Sequence, residues 1–298
     1  RAQPILLRRH PTTCSAAISA DTGRLRTVDI QGRVWQWPAA PATEADLIAE
    51  TFSEPSCAAL SQDGRWLAVA KPAGGVAVMN LDAGEFTYRE TGIAARTVTL
   101  QFAPDSASFA SVTVDGRLRV RQVPGGDLIQ ELAVARGPVQ TLAYSPRGDR
   151  LAVGSLGREV SLYDLTGDAP GKPRVLDVGE SRLTAVAFSP GGRQLVIAAA
   201  DGTARVHELT ADHEPIRLGA HPFAIWSVAF DHEGRRMATG SWDGTIKLWD
   251  CETWTELQSV KGHEESVARL AFDGQAGLIS AGLDGRLLIA APEAGQPA

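Results

Sequence analysis

Short apolar runs alternate with polar turn residues along the whole chain, and three such runs recur together as one unit. In the clearest copy of this unit the runs cover residues 226–230, 236–240 and 245–250. The third run alternates in polarity, with Ile246 and Leu248 pointing to one side, which is the pattern of a strand with one buried face. Each unit is therefore predicted to be built from short β-strands.

The connections between these runs predict antiparallel pairing. Residues 231–234 and 242–244 are rich in Asp and Gly, which favour the tight turns that join neighbouring antiparallel strands. A fourth, weaker apolar run lies between units, as at 215–218 and 255–260. Four short antiparallel strands in about 40 residues are typical of a β-propeller blade. No segment has a long apolar period of 3.6 residues, so we expect little helix.

The unit occurs seven times at an almost constant spacing. The position of Asp243 has counterparts that follow one another at steps of 42, 42, 42, 44, 42 and 41 residues, namely Gln31, Ala73, Asp115, Gly157, Asp201 and Asp284. We therefore predict an all-β fold, a seven-bladed β-propeller of four-stranded antiparallel blades that forms one domain over residues 1–298. The repeat cores fall at roughly 12–37, 56–80, 97–122, 139–164, 183–208, 225–250 and 267–290.

The two ends of the chain predict how the ring closes. Residues 4–7, followed by His10, repeat the pattern of residues 215–218, followed by His221, although no unit precedes them. The last unit stops after its third run, at 287–290. We therefore predict that residues 4–8 supply the outer strand of the seventh blade, which removes the exposed edges of a linear array.

Several short motifs carry a resemblance to a known family. They are Gly262-His263 near the start of a repeat, the sequence Val-Ala-Phe-Ser-Pro at 186–190, the turn 241–244, and Trp249-Asp250 at the end of a repeat. On these residues the chain resembles the WD-repeat (WD40) β-propellers over nearly its whole length. Trp249-Asp250 alone reproduces the closing Trp-Asp dipeptide in full, but seven copies in register make the resemblance specific.

The resemblance implies a buried polar network within a blade. In this family a His before the first strand bonds to the turn Asp, together with a Ser or Thr and the Trp. In the sixth repeat the set is complete, with His221, either Thr239 or Ser241, Asp243 and Trp249. The seventh repeat keeps His263, Ser280 and Asp284 but has Ala290 in place of the Trp.

Composition and charge narrow the class of partner. The 298 residues are 44% hydrophobic and 21% charged, with a net charge of −6 and without a dense basic stripe, which argues against a nucleic-acid partner. No apolar run reaches the length of a membrane span. Cys14, Cys57 and Cys251 lie in different repeats without zinc spacing, so we expect a reducing, cytoplasmic setting.

Signals of catalysis are weak. The chain has no G-x-S-x-G elbow, no phosphate-binding glycine loop and no H-E-x-x-H helix. The His-Glu pairs fall in predicted turns, and the recurring Asp residues share one turn position, where the side chain bonds the turn backbone. We therefore expect no enzymatic site, no cofactor and no bound metal.

The resemblance implies binding of other macromolecules on the face formed by the loop before strand one and the turn after strand two. On that face Trp226, Trp242 and Phe223 are the candidate contacts, since Trp is enriched in binding hot spots. Arg96, Arg158 and Arg182 form a candidate basic rim. Packing of the aromatic residues against neighbouring strands, and solvated arginines, remain open alternatives.

These observations favour a non-catalytic protein–protein interaction platform. We expect a monomeric domain that senses or regulates within a larger bacterial signalling or effector protein, and whose partner is a protein, a peptide or another domain of the same chain. A stand-alone scaffold subunit of a multiprotein complex is the main alternative, and an enzyme that uses the propeller channel is a third. The start at Arg1 and the Pro/Gly/Ala-rich end favour the first interpretation.

Overall fold

Antiparallel sheets of four strands each make up the described part of the chain, and there are seven of them. The computed structural model describes residues 5–9, 14–19, 25–29, 31–37, 45–93, 95–134, 138–156, 158–167, 171–211, 213–272 and 277–290. Within these residues the structure has 28 strands, which are numbered in chain order, and no helix. The described part of the chain thus has no helix of the length and apolar character that crossing a membrane requires.

The first strand, β1 (Ile5–Arg9), belongs to the last blade. The first three blades then follow in order. Blade one contains β2 (Cys14–Ser19), β3 (Leu25–Asp29), β4 (Arg33–Trp37) and β5 (Asp46–Glu50). Blade two contains β6 (Cys57–Leu60), β7 (Trp66–Ala70), β8 (Val76–Asn80) and β9 (Glu85–Arg89). Blade three contains β10 (Thr97–Phe102), β11 (Ser108–Thr113), β12 (Arg117–Gln122) and β13 (Leu128–Ala133).

The remaining blades have the same order of strands. Blade four contains β14 (Val139–Tyr144), β15 (Arg150–Ser155), β16 (Glu159–Asp164) and β17 (Arg174–Asp177). Blade five contains β18 (Leu183–Phe188), β19 (Gln194–Ala199), β20 (Thr203–Glu208) and β21 (Ile216–Gly219). Blade six contains β22 (Ile225–Phe230), β23 (Arg236–Ser241), β24 (Thr245–Asp250) and β25 (Glu256–Lys261). Blade seven contains β26 (Val267–Phe272), β27 (Leu278–Gly282) and β28 (Arg286–Ala290).

The ring closes through the N-terminal strand, as the sequence predicts. β1 pairs antiparallel with β28, with Ile5 opposite Ile289 and Leu6 opposite Leu288, and so becomes the outer strand of blade seven. The strand begins and ends one residue later than predicted, at Ile5–Arg9. On the inside, β2 lies against both β6 and β26, which completes the circle of inner strands. The all-β, seven-bladed fold is confirmed.

The hydrophobic core lies between blades rather than within one centre. Each pair of neighbouring blades encloses its own cluster of buried apolar side chains. Between blades five and six, for example, Val206 and Leu218 meet Ile225, Met237 and Trp249. Because a middle strand is covered on both faces, it is mostly apolar, which explains why β7 and β19 are nearly continuous apolar runs.

A β-bulge recurs at the second residue of the inner strand in blades three to seven. The strand register shifts at the same place in each, at Val98, Gln140, Thr184, Trp226 and Ala268. A bulge leaves one residue unpaired and turns its side chain away from the regular pleat. Three of these residues, Gln140, Thr184 and Trp226, consequently line the mouth of the central channel.

Candidate functional site

The aromatic candidates lie together on one face of blade six. We call this the upper face; it is formed by the loops that lead into the inner strands and by the turns between the second and third strands. The side chains of Phe223 and Trp242 are 58% and 62% exposed, whereas Trp226 is half-buried. The rings of Trp226 and Trp242 meet edge to face, with centroids 6.3 Å apart and planes at 63°. Packing against neighbouring strands therefore accounts for the buried part of the Trp226 side chain. It does not account for Trp242, which is mostly exposed.

Hydrogen bonds hold this aromatic group in place. The amide of Trp242 donates to the carbonyl of Ala224 at 2.9 Å, which joins the turn after β23 to the loop before β22. The hydroxyl of Ser241 donates to the carbonyl of Phe223 at 3.3 Å. The loop and the turn are therefore fixed to each other, and the two exposed rings stand on a rigid support.

Other blades add exposed apolar side chains at the turn position of Trp242. They are Val114, Leu156 and Leu283, which are 45%, 40% and 42% exposed. With Phe223, Trp226 and Trp242 they form what we call the apolar ring of the upper face. A set of exposed apolar residues on one face is unusual for a turn region and is typical of contact surfaces.

The three candidate arginines are exposed on the upper face but in other blades. Arg96 and Arg182 precede the inner strands of blades three and five, where their carbonyls accept from Val114 and Ala200 at 2.9 and 2.8 Å. Arg158 stands in blade four at the turn position that Gly244 occupies in blade six, and it has a φ of 63°. The arginines therefore lie in blades three to five, of which blade five is the neighbour of blade six.

The buried network of blade six is a chain of five hydrogen-bonding groups. The indole of Trp249 donates to Thr239 Oγ1 at 3.0 Å, and Thr239 Oγ1 lies 2.8 Å from His221 Nε2. His221 Nδ1 lies 2.9 Å from Thr245 Oγ1, which donates to Asp243 Oδ1 at 2.6 Å. Since Thr245 gives its only proton to the carboxylate, it must accept from Nδ1–H, and Thr239 must donate to a bare Nε2. All the hydrogen bonds then run in one direction, from Trp249 to Asp243.

This geometry corrects one expectation. The resemblance implies a direct bond between His221 and the turn Asp, but Thr245 stands between His221 and Asp243. It also decides between the two hydroxyl candidates. Thr239 belongs to the network, whereas Ser241 bonds Phe223 and makes a long contact of 3.4 Å with the amide of Asp243.

Blade seven contains the direct bond. His263 Nδ1 lies 3.0 Å from Asp284 Oδ1, and Nε2 lies 2.8 Å from Ser280 Oγ. The position of Thr245 is taken by Arg286, which has no hydroxyl to stand between the imidazole and the carboxylate. Both blades therefore contain a buried neutral imidazole, but its hydrogen-bond partners differ between them.

Burial keeps these imidazoles neutral. It lowers the pKa of His221 to about 4, against the opposing effect of the Asp243 carboxylate. It also lowers the pKa of His263, although the hydrogen bond that His263 donates to Asp284 acts in the other direction. A neutral His221 is what the one-directional chain requires, because a proton on Nε2 would face the hydroxyl proton of Thr239.

Sequence reasoning missed a related contact in blade one. The indole of Trp37 donates to Thr27 Oγ1 at 2.9 Å, as Trp249 does to Thr239 in blade six. Both pairs are ten residues apart, and that spacing was the available signal. The contact shows that part of the network persists in a blade that lacks the motif of the sixth repeat.

The central channel holds two cavities at opposite ends of the inner strands. The upper cavity, of about 400 Å³, opens beside Trp226 and is lined mainly by polar and small side chains. The lower cavity, of about 450 Å³, is lined by a ring of aromatic residues, Phe102, Tyr144, Phe188, Phe230 and Phe272. Among the described residues no cluster of three His, Cys, Asp or Glu side chains could hold a metal ion.

Seven four-stranded blades, a ring closed by the first strand and a His–Thr–Trp network define a WD-repeat β-propeller. The sequence profile of the WD40 family, "WD domain, G-beta repeat", matches residues 173–208 and 214–250, which cover the outer strand of blade four, all four strands of blade five and the three inner strands of blade six. The chain therefore carries WD40 repeats, and it is similar to WD-repeat proteins. Proteins of this family generally act as non-catalytic platforms that bind proteins or peptides.

Curated relatives are similar over parts of their length. The WD repeat-containing protein SL1-17 of Schistosoma mansoni is 29% identical over 45% of this chain and 44% of its own. The WD repeat-containing protein sll1491 of Synechocystis is 31% identical over 34% of this chain and 29% of its own. The human U3 small nucleolar RNA-associated protein 4 homolog is 24% identical over 57% of this chain and 26% of its own. The chain thus spans less than half the length of these relatives, and their sources leave the prediction of a bacterial origin untested.

Proposed function

We propose that the upper face of blade six docks a protein or peptide partner through Trp242, Trp226 and Phe223. The observation that carries this proposal is the exposure of Trp242, at 62%, on a turn fixed to its neighbouring loop. A large aromatic side chain left in water on a rigid support offers binding area at a small entropic cost. Val114, Leu156 and Leu283 extend the same apolar ring around the channel mouth.

The three arginines of blades three to five are the proposed polar rim of this surface. Their exposure supports a role in steering and orienting a partner rather than in supplying most of the affinity. The broader role follows the sequence-based expectation, a sensing or regulatory domain of a larger bacterial signalling protein, with a scaffold subunit as the alternative. A cytoplasmic location is part of the same proposal, and the free thiols of Cys57 and Cys251 support it.

Selection from a phage-displayed library of random twelve-residue peptides tests the docking surface. We expect enriched peptides whose affinity falls by about 30-fold in Trp242→Ala, since a hot-spot residue contributes 2 kcal/mol or more. The matched control is Ile129→Ala, which removes a 59% exposed apolar side chain from the outer strand of blade three. Circular dichroism of both variants establishes that each is folded.

Two outcomes would contradict the proposal. Enriched peptides that bind Trp242→Ala as well as they bind the wild type would move the site away from blade six. Peptides that lose affinity equally in Ile129→Ala would show nonspecific apolar capture. The scaffold and regulatory roles predict the same surface, so this experiment tests what they share.

A further inference from the structure

Two buried polar groups at the channel mouth lack hydrogen-bond partners. Gln140 Oε1 and Thr184 Oγ1 have none among the described residues, and Thr184 is only 7% exposed. Both side chains occupy the bulge of their inner strands, in the neighbouring blades four and five, and both line the upper cavity of about 400 Å³. An unsatisfied buried polar atom costs free energy, so these groups are placed to receive a bound group or water.

The upper cavity has a positively charged residue in its wall. Arg269 of blade seven is the one charged side chain among the described residues that line it, and it is exposed. Arg269 and Arg96 also both act on the thiol of Cys57, where each favours the thiolate, although burial prevails and raises the pKa to about 12. Two arginines from different blades therefore lie close enough to Cys57, which precedes the lining residue Ala58, to act on its thiol.

The chemistry of these groups defines a ligand. Thr184 Oγ1 and Arg269 can donate to an anionic oxygen, and a carboxylate is the group that an arginine side chain matches best in geometry. Gln140 Oε1 accepts, so the ligand must also carry an N–H donor. The positive charge of Arg269 would repel a cationic side chain. An apolar group would leave Thr184 and Gln140 without hydrogen-bond partners.

We propose that the upper cavity is a subsite for a carboxylate, supplied by an Asp or Glu side chain of the peptide segment that docks on the upper face. The carboxylate contacts Arg269 and Thr184, and a main-chain N–H of the same segment donates to Gln140. Trp226 forms the wall that the cavity shares with the apolar ring. The inference rests on the proposed function, because it names the chemistry of the partner at that same face.

A pair of small probes tests the subsite apart from the docking of a whole peptide. The probes are N-acetylglutamate N-methylamide and its neutral glutamine analogue, titrated into ¹⁵N-labelled protein while the indole N–H signal of Trp226 is followed. The signal is assigned with Trp226→Phe. We expect a saturable shift with the glutamate probe and an affinity at least tenfold lower for the glutamine probe, as for a lost charged hydrogen bond.

Protein variants complete the test. Arg269→Gln should weaken the glutamate probe at least tenfold, and Thr184→Val should weaken it about fivefold, since each removes one donor to the carboxylate. The matched control is Arg217→Gln, which removes the same charge from the exposed outer strand of blade five and should leave the affinity unchanged.

The outcomes separate this inference from the proposed function. Equal binding of the two probes, or unchanged binding in Arg269→Gln, overturns the subsite. If neither probe shifts the Trp226 signal, the cavity holds water alone and the subsite is also overturned. Peptides selected on the wild type that depend on Trp242 but contain no recurrent acidic residue would leave the docking face standing without the subsite. Peptides that do not depend on Trp242, together with a glutamate-specific shift, would support the subsite and contradict docking through Trp242.

Discussion

Glu90 and Arg121 form a buried ion pair that joins blades two and three. Arg121 Nη2 donates to Glu90 Oε1 at 2.6 Å, and the two side chains are 13% and 6% exposed. The second carboxylate oxygen of Glu90 accepts from the amide of Val76 at 3.1 Å, and Arg121 donates to the carbonyl of Gly126 at 3.0 Å. Arg121 occupies the strand position that holds Trp249 in blade six, so a charged contact between blades replaces an aromatic one there.

Removing one member of this pair should strongly destabilise the protein. Glu90→Gln leaves Arg121 buried without its counter-charge, and we expect a loss of about 3 kcal/mol in the free energy of unfolding, measured with guanidinium chloride. The matched control is Glu256→Gln, because Glu256 and Lys247 are also 2.6 Å apart but more exposed, so the loss should stay below about 1 kcal/mol. The double variant Glu90→Gln/Arg121→Met should recover part of the stability. Equal losses in the two single variants would show that burial does not matter at this contact.

Deleting the first strand should open the ring. Without residues 1–9, β28 loses its main-chain partner from Ile5 to Arg9 and blade seven has an unpaired edge. We expect a lower melting temperature and a broader transition in differential scanning calorimetry. A control that lacks residues 1–4 retains β1 and should melt near the full chain. A melting temperature that is unchanged in the longer deletion would refute closure by β1 as a source of stability.

The hydrogen-bond chain of blade six can be separated from the turn that ends it. Asp243 accepts from the amide and the hydroxyl of Thr245 at 2.9 and 2.6 Å, and Asp201 accepts from the same groups of Thr203 at 3.0 and 2.7 Å. Only the Asp243 turn continues, through Thr245, to His221.

Asp243→Ala should therefore cost more than Asp201→Ala. We expect a loss of about 1–3 kcal/mol for Asp243→Ala, the usual penalty for a lost buried partner, and a clearly smaller one for Asp201→Ala. Chemical denaturation measures both, with Asp201→Ala as the control for the turn itself. Equal losses would mean that the chain to His221 adds nothing to the stability of the turn.

The buried histidines predict a loss of stability in mild acid. Burial lowers the pKa of His221 to about 4, and it lowers the pKa of His207 as well. Because the folded pKa lies below the unfolded value of 6.5, a proton binds the unfolded chain more tightly. The contribution of neutral His221 is complete above pH 6.5 and is lost as the pH falls from 6.5 to about 4.

Denaturation at several pH values measures this effect. We expect the free energy of unfolding to fall by up to about 1.4 kcal/mol per pH unit for each such histidine, and His221→Asn to show a shallower dependence. The carboxylate of Asp243 acts in a lower window. Burial raises its pKa, but the hydrogen bonds from Thr245 prevail and hold it below 3.8, so its contribution is lost only under stronger acid. A stability curve that is flat from pH 6.5 to 4 would contradict the buried, neutral state of His221.

The fold could be predicted from the sequence because each blade repeats the same pattern of strands and turns. Three apolar runs and two turns recur at a nearly fixed spacing. The strands of a repeat with a weak pattern can therefore be predicted from their alignment with the clearer repeats. Closure by β1 was predictable for the same reason, since residues 4–7 look like residues 215–218, which precede another blade.

The polar contacts were predictable only in part. Thr239, Ser241 and Thr245 each carry a hydroxyl in the same repeat as His221, and only the direction of each side chain in the fold decides which of them bond the imidazole. Glu90 and Arg121 are 31 positions apart and lie in different blades, and no local sequence pattern predicts their pairing. The unpartnered atoms at the channel mouth depend on the bulges of the inner strands, which alternation of apolar residues does not reveal.

Arg158 is a local source of strain that a single substitution should relieve. Its φ of 63° lies in the left-handed region, where the equivalent Gly244 has a φ of 79° without steric cost. Such a conformation costs a residue with a side chain roughly 1–2 kcal/mol, and glycine gives back roughly 0.5–1 kcal/mol through its greater freedom in the unfolded chain. Arg158→Gly should therefore raise the free energy of unfolding by about 0.5–1 kcal/mol, whereas the control Arg182→Gly, which removes an exposed arginine of the same face at an ordinary φ, should lower it. If Arg158→Gly instead destabilises the protein, contacts of the arginine side chain outweigh the backbone strain, because nothing else changes at that turn.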